Sequence, residues 1–216
     1  MRAKVMAPGV RIILTAGLLE LAAAGGAGTS QAATPLDAAD CSVQCLTFSG
    51  KTTFSPPLTD TGIGPSDLIK LRGVVGGCTV SGATCAGLTV LSGKVLGTLN
   101  GTTDSCAALL GTSITTGELV VKWKTNQPLL DSTSQLSLNA GSVVGTLFPG
   151  LPPGVYGQFL IGGPVTVSGA FHGSDGGATS TATVVSSEDV SALSSACASS
   201  KGLKGLTIGL GNAVLQ

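Results

Sequence analysis

Six cysteines, one histidine and eleven acids hold most of the reactive side chains in this 216-residue chain. The cysteines are Cys41, Cys45, Cys78, Cys85, Cys106 and Cys197. An even number points to disulfides if the chain is exported. A zinc site would need a second short pair, but Cys41-x3-Cys45 has no counterpart at matching distance and His172 stands alone. Six cysteines allow 15 pairings. Cys106 with Cys197 is the expected long bridge, since each precedes an expected strand and the bond would tie the middle of the domain to its end. In the loop-entropy picture a closure of that length contributes about 4 to 5 kcal/mol. The clusters Cys41/Cys45 and Cys78/Cys85 can pair within or across, with a preference for Cys45 to Cys78 and Cys41 to Cys85.

His172 lies in His172-Gly173-Ser174-Asp175-Gly176-Gly177. As a general base oriented by Asp175 or Asp131, with a serine nucleophile, it would make a small secreted hydrolase. No Gly-x-Ser-x-Gly elbow occurs, and a solvated histidine in a glycine-rich turn is the simpler reading. Paired carboxylates drawn from Asp60, Asp67, Asp104, Glu118, Asp131, Asp175, Glu188 and Asp189 could cleave glycosides. Sugar sites usually stack rings on aromatic platforms, however, and aromatics are only 3% of the chain. Trp123 belongs with Leu119 and Val121 in an expected core. Calcium around Asp175 lacks a repeated Asp-x-Asp spacing, and no phosphate-cradling glycine loop is present. The expectation is therefore no catalytic residue, no cofactor and no metal.

The elements that must position these residues read as strands. After Ala33 short runs of Thr, Val, Leu and Ser alternate with a period of two, broken every eight to twelve residues by Gly or Pro. Gly117 to Thr125 is the clearest: Leu119, Val121 and Trp123 point one way, and Glu118, Lys122 and Lys124 point the other with Val120 among them. Further strands are expected at Leu46 to Phe54, Leu68 to Val75, Gly87 to Leu99, Gln135 to Leu147, Tyr156 to Ile161, Pro164 to Phe171, Thr179 to Val185 and Leu203 to Leu210. Ser55-Pro56-Pro57, Phe148-Pro149-Gly150 and Leu151-Pro152-Pro153-Gly154 read as loops, because proline donates no ladder hydrogen bond. One short helix is expected near Glu188 to Cys197, capped by Ser187. Together these predict an all-β, disulfide-stapled antiparallel sandwich in a single domain spanning 33–216.

Residues 1–32 read as a secretory signal: Arg2, Lys4 and Arg11, an apolar stretch from Ile12 to Gly28, and Ser30-Gln31-Ala32 as cleavage site. The stretch is interrupted by Glu20 and falls short of a membrane span. Without the signal, eight basic and ten acidic residues remain, a net charge of −2. That balance predicts no nucleic-acid or anionic-lipid footprint and no concentrated charge. The expected partner is a cell-envelope or extracellular protein or glycan, met through surface contacts. Phe148 to Tyr156, with apolar residues beside rigid prolines, is the first segment to suspect. A third alternative is an outer-envelope pore or barrel.

Cys45 with Thr53-Phe54-Ser55-Pro56-Pro57-Leu58, Gly77-Cys78, Ser105-Cys106, Trp123 and Cys197 with Gly202-Leu203-Lys204-Gly205-Leu206-Thr207-Ile208 form a recurrent set. On these residues the chain resembles secreted Thr/Gly-rich β-proteins of unassigned function from high-GC actinobacteria. The resemblance implies an immunoglobulin-like sandwich framed by four of the cysteines, with Cys41 and Cys85 as an added pair. It implies no catalytic residues.

Overall fold

A computed structural model of the chain describes residues 33–61, 68–101, 105–109, 115–139, 143–149, 155–162 and 165–216. They belong to one compact unit, Ala33–Gln216. The expected signal, 1–32, lies outside the described residues.

Ten strands are described: β1 (Ser42–Leu58), β2 (Leu68–Ser81), β3 (Val90–Gly101), β4 (Thr115–Thr125), β5 (Thr133–Leu138), β6 (Val143–Pro149), β7 (Val155–Ile161), β8 (Val165–Gly169), β9 (Thr181–Asp189) and β10 (Leu203–Leu215). They pair antiparallel in the order β6-β7-β9-β10-β1-β2-β3-β4-β5-β8. A helical turn, α1 (Cys106–Leu109), and a helix, α2 (Val190–Ala198), complete the elements the site needs.

Connectivity forces this sheet to curl. Laid flat, the eight steps from β7 to β8 would span about 38 Å. Yet Ile161 ends β7 and Val165 opens β8, so four Cα steps, at most about 15 Å, must join them. The sheet therefore wraps into a half-barrel with its apolar faces inward. An immunoglobulin-like sandwich would divide into two separate sheets; the described pairing instead runs through one. Period-two alternation demands one buried face but does not say whether the opposing wall is a second sheet or the same sheet returning.

Inside the curl lies the main core, with Val43, Phe48, Leu71, Val95, Val121 and Trp123 among its buried members. Glycines make room for its two largest rings. A Cβ on Gly93 would sit 2.7 Å from the Trp123 ring, and one on Gly73 2.8 Å from Phe48. Gly93 pairs directly with Trp123, so the indole fills the space that a partner side chain would take. A smaller core gathers Phe54, Leu58, Leu193, Cys197, Leu203 and Leu206 beneath α2.

Several boundaries differ from the sequence expectation. β1 continues through Ser55-Pro56-Pro57 because β2 stops pairing at Ser55, leaving Pro56 no partner on that side to disappoint. Pro149 ends β6, which is an edge strand, where a missing donor is tolerated. Gln135 to Leu147 is two strands, β5 and β6, with β6 at one edge of the strand order and β5 next to the other. The helix begins two residues late: Glu188 and Asp189 stay in β9, and Asp189 rather than Ser187 is the cap, its Oδ1 accepting the Ala192 N–H at 2.7 Å.

Candidate functional site

All six cysteines are bridged: Cys41 to Cys85, Cys45 to Cys78 and Cys106 to Cys197. Cys45 and Cys78 face each other across β1 and β2, so their bond fixes the register of that pair. Cys41–Cys85 encloses it, joining the start of β1 to the turn after β2. Cys106–Cys197 ties α1 to α2 over the smaller core, 91 residues apart in sequence. Among the described residues Asp60 is the one acid grouped with two sulfurs, those of Cys106 and Cys197. Both sulfurs are consumed by their mutual bond, so the trio offers a cation no thiolate.

His172 sits in a groove of about 290 Å³ walled by Asp37, Ala38, Ala39, Leu130, Asp131 and Gly169 to Ala170. The wall forms because the segment before β1 docks on the turn after β8. Phe171 N–H donates to Ala38 O at 2.9 Å, and the His172 and Gly173 N–H groups both donate to Ala39 O at 3.1 Å. Phe171, fully buried, takes a left-handed φ of 57° and meets Trp123 edge-on at 5.1 Å. The half-buried imidazole places Nδ1 2.7 Å from Gly173 O. A carbonyl only accepts, so Nδ1 is the donor in this contact.

The groove thus brings His172 together with Asp131, one of the two orienting acids considered for it, and with Asp37, which no motif singled out. Both acids are engaged locally. Asp131 Oδ1 accepts from Thr133 N at 2.8 Å and Thr133 Oγ1 at 2.7 Å, and Asp37 Oδ1 accepts from Ala39 N at 3.0 Å. Asp175 is spent on its own turn: Oδ1 accepts from Gly177 N at 2.9 Å, and Oδ2 from Thr179 N at 3.1 Å and Thr179 Oγ1 at 2.7 Å. The Thr179 hydroxyl and these amides hold its carboxyl below the usual aspartate range. Among the described residues no serine lines the groove. Ser134, the nearest buried hydroxyl on β5, receives Trp123 Nε1–H at 2.7 Å and donates to Ala170 O.

The remaining carboxylates are dispersed. Glu188 accepts the Thr207 N–H, Glu118 lies on the exposed face of β4, and Asp67 and Asp104 lie outside the described residues. Of the suspected Phe148 to Tyr156 segment, 150–154 also lie outside them.

A second cavity, of about 120 Å³, lies inside the curl. Its described walls come from β1 to β5 and β7 to β10, and the polar residues among them are Thr52, Ser180 and Thr181. Trp123 forms part of the wall. An apolar space of this size stays dry and suits a small apolar guest.

No family model, curated protein or solved structure matches the chain.

Proposed function

We propose that the protein is an exported binding module of the cell envelope or extracellular space that acts by surface contact. The observation that carries this reading is the disulfide-braced sheet: three bridges hold a broad platform whose outward strand positions are mostly Thr, Ser and Lys. Oxidised cysteines suit an exported chain, as does the resemblance to secreted actinobacterial β-proteins. The pore alternative calls for an apolar band facing outward, whereas the described strands turn their apolar side inward. No helix among the described residues is long and apolar enough to cross a membrane.

The test is fractionation of producing cells, with intact-mass analysis of the protein. The expected product begins at Ala33, is six hydrogens lighter than its reduced form, and is retained on cells. A cytoplasmic protein with free thiols would overturn the reading. His172→Ala should leave retention unchanged; a hydrolytic activity abolished by that substitution would replace contact with catalysis.

The interior cavity favours a second reading, carriage of a small apolar molecule. Titration with benzene, followed through the emission of Trp123, should saturate and raise the melting temperature. Unsaturable, purely collisional quenching with no thermal shift would exclude it.

A further inference from the structure

Eight Lys and Arg residues follow Ala32, and six of them stand on the outer face of four consecutive strands. Lys51 is on β1, Lys70 and Arg72 on β2, Lys94 on β3, and Lys122 and Lys124 on β4, all exposed. Each has the outward parity, opposite to buried Phe48, Leu71, Val95 and Val121 on the same strands. The register then sets like charges face to face: Lys51 opposes Arg72, and Lys94 opposes Lys122. Directly opposed like charges destabilise a sheet. Among the described residues Glu118 is the lone acid on this face, and none of the described carboxylates pairs with any of the six cations. From β1 to β4 and from the Lys70 row to Lys124, the patch measures about 14 by 20 Å. A net charge of −2 concealed it, because all the described acids except Glu118 lie off the strands β1 to β4. The expectation of no concentrated charge is corrected accordingly.

We propose that this face binds an anionic glycan, a sugar polymer bearing phosphate or carboxylate groups. The proposal rests on the contact-module reading and names its partner class. Two like-charge pairs retained against their own repulsion are relieved when anions settle between them. Ser49, Thr53, Thr98, Thr133, Gln135 and Ser137 surround the cations with hydroxyls and an amide that can exchange hydrogen bonds with sugar hydroxyls. Single-stranded nucleic acid would want exposed rings, but Phe48, Phe54 and Trp123 of these strands are buried inward. A lipid surface would want an apolar stripe; the exposed apolar side chains of these strands are Leu46, Val74 and Leu91, one each on β1, β2 and β3, with Leu96 and Val120 partly covered.

The test measures binding of the full secreted protein to polygalacturonate, poly(glycerol phosphate), neutral dextran, phosphatidylglycerol vesicles and a DNA oligonucleotide. The expected result is binding to one or both anionic polymers and none to dextran, weakening about tenfold or more between about 50 and 200 mM salt. Arg72→Thr with Lys94→Thr should weaken that binding about tenfold or more at an unchanged or higher melting temperature. Lys201→Thr, which removes a cation from the turn after α2, should leave it intact. Equal affinity in the first double variant, stronger binding to vesicles or DNA than to the polymers, or no binding to any anion would overturn the proposal. If that double variant is still retained on cells like the parent, the glycan face is wrong while the contact reading stands.

Discussion

The two faces of β1–β4 are made by the same strands one residue out of step, and they answer to opposite demands. Inward, Phe48, Leu71, Val75, Val95, Val121 and Trp123 are buried and mutually supporting. Outward, Lys51, Arg72, Lys94 and Lys122 are exposed and mutually repelling. A slip of one residue would exchange the faces, so whatever fixes register protects both. The Cys45–Cys78 bond does this directly, because Cys45 opposite Cys78 and Lys51 opposite Arg72 belong to the same uninterrupted antiparallel alignment. The inward face explains why the protein folds. The outward face does nothing for folding, and this is the reason to assign it a partner.

The hardest blow to the inward face is Trp123→Ala. It removes the edge-on contact with Phe171, leaves the Ser134 hydroxyl without its donor, and enlarges an existing cavity. The expected cost is about 3 to 5 kcal/mol, a fall in melting temperature of roughly 6 to 20 °C. Circular dichroism should follow it, since the only tryptophan is lost. A cost under about 1 kcal/mol would mean that stability is not concentrated inside the curl. Next comes the register lock. Cys45→Ala with Cys78→Ala leaves the enclosing Cys41–Cys85 bond, so the freed loop is still constrained and the expected loss is about 2 to 3 kcal/mol. Urea unfolding with an unchanged slope would confirm that the native state survives.

Positions 94 and 95 sharpen the contrast because they are neighbours in sequence on opposite faces. Lys94→Thr should stabilise by about 0.2 to 1 kcal/mol while weakening anion binding. Val95→Ile points a methylene into the interior cavity and should add up to about 0.8 kcal/mol without altering anion binding. If it instead costs about 1 to 3 kcal/mol, the cavity wall is already tight. Should both substitutions move stability and binding together, the division of labour between the faces fails.

Some of this was legible before the structure. Alternation in Gly117 to Thr125 sorts Leu119, Val121 and Trp123 from Lys122 and Lys124, as the faces of β4 do. The outward parity of Lys51, Arg72 and Lys94 could be read the same way, strand by strand. Their adjacency could not, because it depends on β1 to β4 pairing in sequence order and on the exact register. Assuming a simple meander would have found it; a net charge never could. The curl was illegible for a deeper reason: it follows from β9 pairing between β7 and β10 while β8 crosses to β5, a choice made by distant contacts. Asp37 joined the His172 groove through backbone bonds from Phe171 and His172 to Ala38 and Ala39, with no side-chain signal to announce it. The helix start was missed because Ser187 and Asp189 are both good caps, and pairing of Tyr156 with Asp189 keeps β9 extended to that point.

The smallest expected effect concerns the acids kept off the basic face. The Thr179 hydroxyl and nearby amides lower the Asp175 pKa, and the Ala192 N–H followed by the Ser191 hydroxyl lowers that of Asp189. A carboxyl whose folded pKa lies below its unfolded value of 3.8 gives its full stabilisation above 3.8 and loses it as pH falls through the folded value. Thermal melts should therefore show stability declining below pH 3.8. Asp175→Asn and Asp189→Asn should each flatten that decline, because an amide keeps an acceptor oxygen but does not titrate. Acid removes negative charge from a turn and a cap, whereas lysine and arginine stay protonated. Binding to poly(glycerol phosphate) should consequently outlast part of the stability loss, while binding to polygalacturonate should fade as that polymer's own carboxylates protonate. If both polymers dissociate together with the melting transition, binding follows global folding and the outward cations play no separate part.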